Sequence, residues 1–382
     1  MKVLFLSAWY PNRYDSMAGL FVQKHAEAVS LYADVKVLYV HGDEKIESME
    51  IVVTKHKNIE EFRIYYPISK ESIFGKIRKI VYYFRAYQKG IKAIKETGWK
   101  PDVTQANVFT RTAFIAYLIK LKFKTPYVVI EHWTRYFRNG TFKNRLHKWI
   151  TGFIAGKASC VMPVTYHLQK CMESKGMKND NYQVINNVVD DVFFEKYVKT
   201  ESEKVRILNV TCFDDAQKNI TGILRVVKEL TKKRKDFEFY FIGIGSDFEL
   251  IKQYASSLHL ESDVVHFTGL LEGKKLAAMY QDCDFTVLFS NYENIPVVVS
   301  ESLACGKPVI STDVGGINEH ITPENGILIS AKDEKALVDS LDWMIDHYKK
   351  YDAEKIANDA YDKYSNKKVG KNLKNIYLQL FI

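Results

Sequence analysis

Strand-length apolar runs alternate with helix-length amphipathic segments along almost all of this 382-residue chain, and no other feature limits its fold as much. Strands are expected at Lys2–Ser7, Val35–Val40, Asp102–Ala106 and Tyr127–Glu131. A second set follows at Val205–Thr211, Phe237–Ile242, Val264–Phe267, Phe285–Leu288 and Pro308–Ser311. Helical periodicity fills the gaps at Ala18–Leu31, Ile77–Thr97, Arg111–Phe123, Lys143–Lys157 and Tyr166–Ser174. It returns at Asn219–Lys232, Ser246–Ser257, Gly273–Gln281 and Glu334–Tyr348. That order predicts an α/β fold of parallel sheets wrapped by helices. The length exceeds what one ordinary core supports, so two domains are expected. The boundary is placed after Gln183–Asp190, where the polar run Lys199–Lys204 precedes the next strand. Domains at 1–190 and 191–365 result, with a last helix within 366–382.

Charge and cysteines narrow the partners. The net charge is +9, and the segment from Glu71 to Ile150 holds 17 Lys and Arg against 4 Asp and Glu. Such asymmetry usually reports a partner. No nucleic-acid module is present, and an anionic membrane surface, or a polyprenyl-diphosphate acceptor held in one, fits better. The helix Ile77–Thr97 carries Ile77, Ile80, Val81, Phe84, Ile91 and Ile94 on one face, most simply packed on a sheet, with lysines and arginines around it. Contact with anionic lipid is its second use. No apolar run reaches the roughly 18 to 20 residues of a membrane span. The N-terminal MKVLFLSAWYPNRY reads as a buried strand rather than a secretion signal. Five scattered cysteines (Cys160, Cys171, Cys212, Cys283, Cys305) argue for reduced thiols in the cytoplasm and against a structural metal.

The most informative stretch runs from Glu293 to Gly316. Two carboxylates, Glu293 and Glu301, stand in an otherwise apolar segment, which requires polar partners for both. Their spacing fits a loop acid followed by one in the first turns of a helix. That helix begins near Pro296, a good first-turn residue, and ends near Cys305 at Gly306, which suits a left-handed cap. Lys307–Thr312 then reads as a short buried strand and Val314-Gly315-Gly316 as a turn.

Glu293, Glu301, Ala304-Cys305-Gly306-Lys307-Pro308-Val309 and Gly315-Gly316 together resemble the signature of the retaining glycosyltransferases of family 4, also called glycosyl transferases group 1. The resemblance implies the GT-B fold, two Rossmann-like domains facing across a cleft, with the donor nucleotide on the second and the acceptor on the first. It implies transfer of a hexose-like sugar from a UDP-, GDP- or ADP-sugar to a carbohydrate or lipid-linked acceptor, retaining anomeric configuration and needing no metal or other cofactor. Surface polysaccharide or glycolipid synthesis is the pathway it suggests, in the cytoplasm and peripherally on the inner face of the cell membrane. The last helix would cross back to the first domain.

By the same resemblance, Glu301 holds the nucleotide ribose, Glu293 faces the donor sugar, and Lys218 offsets charge on the leaving diphosphate. Main-chain groups of Asn294, Ile295 and Val297 lie at a helix N-terminus suited to phosphate, where many relatives have Gly at the place of Pro296. His132 ends a strand and faces the donor sugar, with Glu131 and Arg135 as acceptor contacts. Gly19 is matched to a phosphate loop, Gly243 and Gly245 to the nucleotide loop, and Gly269 to the loop under the base. The family pairs its lysine with an arginine a few residues earlier; Cys212 or Phe213 occupies that place. Asp214-Asp215 reads as a helix-start cap rather than a metal pair. Two other readings stay open: a GT-B epimerase of nucleotide sugars, and a non-catalytic sugar-nucleotide-binding protein.

Overall fold

The computed structural model describes residues 1–68, 73–109, 111–137, 140–260, 263–294 and 296–381. The chain forms two compact units, one of residues 1–164, 168–188 and 366–382, the other of 165–167 and 189–365.

The first unit contains β1 (Lys2–Ser7), α1 (Leu20–Ser30), β2 (Asp34–Asp43), β3 (Glu50–His56), β4 (Ile59–Pro67) and α2 (Ile73–Glu96). It continues with β5 (Val103–Asn107), α3 (Thr112–Phe123), β6 (Tyr127–Glu131), α4 (Arg145–Lys157), β7 (Cys160–Pro163) and α5 (Tyr166–Ser174). Its seven-stranded sheet has the order β3-β4-β2-β1-β5-β6-β7. All pairs are parallel except β3 with β4. β1 is central, with Val3 opposite Val35 on one side and Val103 on the other. Helices on both faces of such a sheet bury it twice over, so Val3, Leu4, Phe5 and Leu6 form a continuous apolar run rather than an alternating one.

The second unit contains β8 (Val205–Val210), a one-turn α6 (Asp215–Lys218), α7 (Ile220–Leu230), β9 (Phe237–Ile242), α8 (Phe248–Ser257), β10 (Val265–Gly269) and α9 (Gly273–Asp282). After these come β11 (Phe285–Leu288), α10 (Val297–Ala304), β12 (Val309–Thr312), β13 (Gly326–Ile329), α11 (Glu334–His347) and α12 (Ala353–Tyr364). Its six-stranded sheet, β10-β9-β8-β11-β12-β13, is wholly parallel. The apolar faces of α7 and α11, including Leu224, Val227, Leu341 and Met344, close one core cluster with Phe237, Phe239 and Phe241.

The final helix, α13 (Asn366–Gln379), belongs to the first unit. It lies so close to α1 that a Cβ on Gly370 would sit 2.1 Å from the Ala28 carbonyl oxygen. Tyr32 donates from its hydroxyl to the Lys367 carbonyl at 3.0 Å, and the Tyr377 hydroxyl bonds Gln105.

Four strands lie outside the runs read from the sequence: β3, β4, β7 and β13. The helix α12 does too. A larger correction concerns α2. Beyond its first turn its buried positions are Ala86, Tyr87, Gly90 and Ile94, whereas Ile77 and Ile80 are 57% and 59% exposed and Val81 42%. Gly90 lets α2 approach the sheet closely: a Cβ there would sit 2.4 Å from a Leu38 methyl group, which would have to shift. The first half of the apolar stripe therefore faces outward rather than packing on the sheet.

Candidate functional site

In the second unit the strand order reverses between β8 and β11, and ligands of open α/β sheets bind beyond the carboxyl ends of strands at such a point. The chain leaving β8 runs to Lys218, and the chain leaving β11 runs to Glu293. Asn219, in the left-handed conformation at φ 51°, turns the backbone between α6 and α7. The Lys218 ammonium pairs with Glu293 Oε1, and the two side chains are 11% and 7% exposed. Gln217 Nε2 donates to the Tyr292 carbonyl at 3.3 Å and approaches Glu293 Oε2 at 3.4 Å. The Asn291 amide donates to the Gln217 carbonyl at 2.8 Å, stitching the two loops together.

The Gly315-Gly316 turn holds the same loop from the other side. Gly315 is left-handed at φ 62°, and a Cβ on it would lie 1.9 Å from the Glu293 carbonyl oxygen. Glycine alone fits that contact. The Gly316 amide donates to the Asn294 carbonyl at 3.0 Å, and the Thr165 hydroxyl donates to Asn294 Oδ1 at 3.2 Å. Ile295 lies outside the described residues.

Pro296 is the N-cap of α10, with extended backbone (φ −72°, ψ 126°), and the helix proper starts at Val297 rather than at the proline. The amides of Val297 and Val298 stand in the first turn, where helices lack internal acceptors. Glu301 sits one turn on, half-buried, with the Tyr280 hydroxyl 3.1 Å from its Oε2. Burial first, then the Asp190 carboxylate, push its pKa up to about 7, against the opposing Tyr280 hydrogen bond. Gly306 takes the left-handed cap at φ 71°, as expected.

The three loops after β8, β9 and β10 are laced together. The Gly243 amide donates to the Gly269 carbonyl at 2.9 Å, and the Phe213 amide to the Ile244 carbonyl at 3.1 Å. A Cβ on Gly243 would lie 1.8 Å from the Thr211 carbonyl oxygen, and one on Gly245 2.5 Å from that of Phe213. Both glycines are thus demanded by backbone packing, while the space beside Gly269 is open. Phe213 is fully buried, its ring edge-to-face with Phe248 at 4.7 Å, and Cys212 is exposed. No cation comes from that place. Asp214 caps α6 by accepting from the Gln217 amide at 3.3 Å, and Asp215 accepts from the Thr221 amide and hydroxyl at 2.8 and 2.6 Å.

In the first unit His132 follows β6, its ring 4.4 Å from that of Phe21 and 5.5 Å from that of His25. Burial and the neighbouring His25 hold its pKa well below the ordinary histidine value, so it is neutral at pH 7. Glu131, expected as an acceptor contact, is instead fully buried. Its carboxylate accepts from the amides of Phe109, His132 and Trp133 at 3.0–3.1 Å. Burial still raises its pKa to about 7. It shapes the strand end from beneath. Arg135 stacks over the Trp133 ring at 4.3 Å and bonds the Thr141 carbonyl. Gly19 caps α1 at φ 64°, its missing Cβ only 2.1 Å from the Trp9 carbonyl oxygen, and Trp9 meets Trp133 edge-to-face at 5.2 Å.

The second unit thus gathers Lys218, Glu293, Asn294, Val297 and Glu301 around α10, and the first gathers Gly19, His132 and Arg135 at one end of its sheet. Tyr280, Thr165, Gln217, Trp9 and His25 were not read from the sequence. Each acts on a partner brought to it by the fold or, for Gln217, was overshadowed by the adjacent lysine.

Residues 192–362, which lie in the second unit, match the family model described as glycosyl transferases group 1. An uncharacterized glycosyltransferase of Methanocaldococcus jannaschii is 29% identical over 168 residues, 42% of either chain. A glycosyltransferase assigned to teichuronic acid biosynthesis in Bacillus subtilis is 22% identical across 99% of this chain and 98% of its own. The chain spans 42%, 66% and 54% of the lengths of the first three curated relatives it matches. Among solved structures, the sucrose-phosphate synthase of Thermosynechococcus elongatus superposes with a TM-score of 0.77 at 18% identity, covering 100% of this chain and 99% of that one. Anabaena HepE in complex with UDP gives 0.73 at 15% identity, covering 99% and 100%. The fold is GT-B.

Proposed function

We propose that this chain is a retaining, metal-independent glycosyltransferase that moves a hexose-like sugar from a nucleotide diphosphate sugar to an acceptor hydroxyl in surface polysaccharide or glycolipid synthesis. The observation that carries the reading is the Lys218–Glu293 pair at the strand-order reversal, flanked by the first turn of α10 and by Glu301. The group 1 match across the same residues supports it, as does the UDP in the Anabaena structure. The teichuronic acid relative supports the pathway class.

Each residue has a task that its surroundings suit. Glu301, as carboxylate, accepts hydrogen bonds from the ribose hydroxyls. The amides of Val297 and Val298 favour diphosphate oxygens at the positive end of α10. Pro296 offers no amide there. Lys218 is the cation for charge developing on the leaving diphosphate; to serve it must loosen its pair with Glu293. Glu293 is then available to the sugar hydroxyls. Neutral His132 can both donate and accept a hydrogen bond.

The outward face of the first unit supports peripheral attachment to the inner membrane surface. Ile77, Ile80 and Val81 on α2, Leu118 and Leu121 on α3, and Leu146 and Trp149 on α4 are all exposed. Lys92, Lys95 and Lys122 rim the groove between α2 and α3. An apolar band set among cations is the pattern of interfacial binding. No helix among the described residues is long and apolar enough to cross a membrane.

Thermal-shift screening against UDP, GDP, ADP and their sugars fixes the donor, and NMR of the product fixes the anomer. Transfer should persist in excess chelator. An inverted product, or activity that only added Mg or Mn restores, would overturn the corresponding part of the proposal.

A further inference from the structure

A second pocket, of about 370 Å³, lies in the first unit, lined by residues following β1 (Trp9, Asn12, Asp15), the end of β2 (Tyr39, His41) and Arg111 at the start of α3. The sheet order of this unit reverses between β1 and β5, so the pocket opens where ligands of such sheets bind. Its volume suits a small ligand.

Its chemistry is specific. Tyr39, Tyr66, Tyr83 and Tyr87 supply aromatic walls, and Lys79 and Arg111 supply two cations. The Arg111 guanidinium lies 5.6 Å from the centre of the Tyr83 ring. Neither cation has a carboxylate partner among the described residues. The carboxylate lining the pocket, Asp15, already accepts through Oδ1 from the amides of Met17 and Ala18 at 2.8 and 3.1 Å. His41 is neutral, its pKa lowered by burial, and its Nδ1 lies 2.9 Å from the Tyr39 hydroxyl. Burial pushes the hydroxyls of Tyr39 and Tyr83 up to about 12, so both keep their protons at neutral pH. Among the described residues the lining therefore presents two cations against one carboxylate, beside neutral hydroxyls and ring faces.

A neutral sugar would offer neither cation an anionic oxygen. A guanidinium fork matches carboxylate and phosphate oxygens two at a time, and an ammonium adds a point charge. We infer that this pocket binds the acceptor as an anionic sugar, through a phosphate or carboxylate held by Arg111 and Lys79 with the ring against the tyrosines. The word acceptor rests on the transferase reading above; binding of an anionic sugar does not.

The test uses the full chain in calorimetry with three probes: glucose 1-phosphate, glucuronic acid and methyl glucoside. At least one anionic probe should bind ten times more tightly than the neutral one, and which of the two is tighter identifies the anion. Arg111→Met should weaken that binding tenfold or more and Lys79→Met less, while UDP affinity and the thermal midpoint stay unchanged. Glu301→Ala should leave anionic-sugar binding intact. Equal affinity for the neutral probe, no binding of either anion at millimolar concentration, or indifference to Arg111→Met overturns the proposal. So does loss of anionic-sugar binding in Glu301→Ala, which would place it at the donor residues. Absent binding of UDP and of every other nucleotide, with anionic-sugar binding retained, would instead overturn the transferase reading and spare this one.

Discussion

The ammonium of Lys218 is held by the carboxylate of Glu293, and neither side chain is more than 11% exposed. Removing one member of a buried pair strands the other charge, which costs about 3–5 kcal/mol. Lys218→Met should therefore unfold at lower urea and lose donor affinity together. The double variant Lys218→Met/Glu293→Gln should recover most of the stability without recovering donor binding. Calorimetry with UDP-sugars separates the two effects, and full donor affinity in the double variant would refute the role given to Lys218.

Glu301 titrates near 7 in the folded chain against 4.5 for an ordinary glutamate. Between these values the folded state holds the extra proton, so its contribution to stability is present below 4.5 and lost as pH rises through about 7. Glu301→Gln should thus be more stable than the parent above pH 7, with the gap closing toward pH 5. Donor affinity should move the opposite way. It should rise with pH through about 7 in the parent and be flat and weak in Glu301→Gln. A parent affinity independent of pH would contradict the ribose assignment.

Much of this architecture was legible in advance because the central strands are buried on both faces. Runs such as Val3–Leu6 and Val128–Ile130 have no polar interruption to confuse them with helix. The edges were less legible. β3 carries Ile51, Val52 and Val53 between charged residues and exposes all three, and β13 is four residues long. The limits of α10 could be read because a proline and a glycine act locally. Its partners could not: Lys218 meets Glu293 across 75 residues of sequence, and Thr165 meets Asn294 across 129. The tyrosine pocket was hidden for the same reason, being assembled from β1, β2, β4, α2 and α3.

Glu131→Ala should destabilise the first unit by about 3–5 kcal/mol, because three amides lose their acceptor at once. Denaturation monitored by tryptophan fluorescence reads the loss, and UDP affinity in the native baseline should be unaffected. A variant as stable as the parent would mean that water replaces the carboxylate.

Vesicles containing anionic lipid should bind the protein at low salt and release it as salt rises, since exposed charges are screened within about 10 Å at 0.1 M. Trp149, 66% exposed, and Leu146 beside it should contribute. Their joint replacement by Ala should weaken flotation with the vesicles several-fold and leave transfer to a water-soluble acceptor unchanged. Binding that ignores both salt and this change would rule out the face described.

The close seat of Gly370 against Ala28 has a consequence for how the protein is made. Domains generally fold as they leave the ribosome, the earlier one first. In this chain the first unit lacks α13 until residues 366–382 have been synthesised, whereas every residue of the second unit has by then been added. Order of synthesis and order of completion are therefore reversed, and a nascent chain paused before Asn366 presents the α13-binding side of α1 uncovered. Truncation of the last helix would make that exposure permanent.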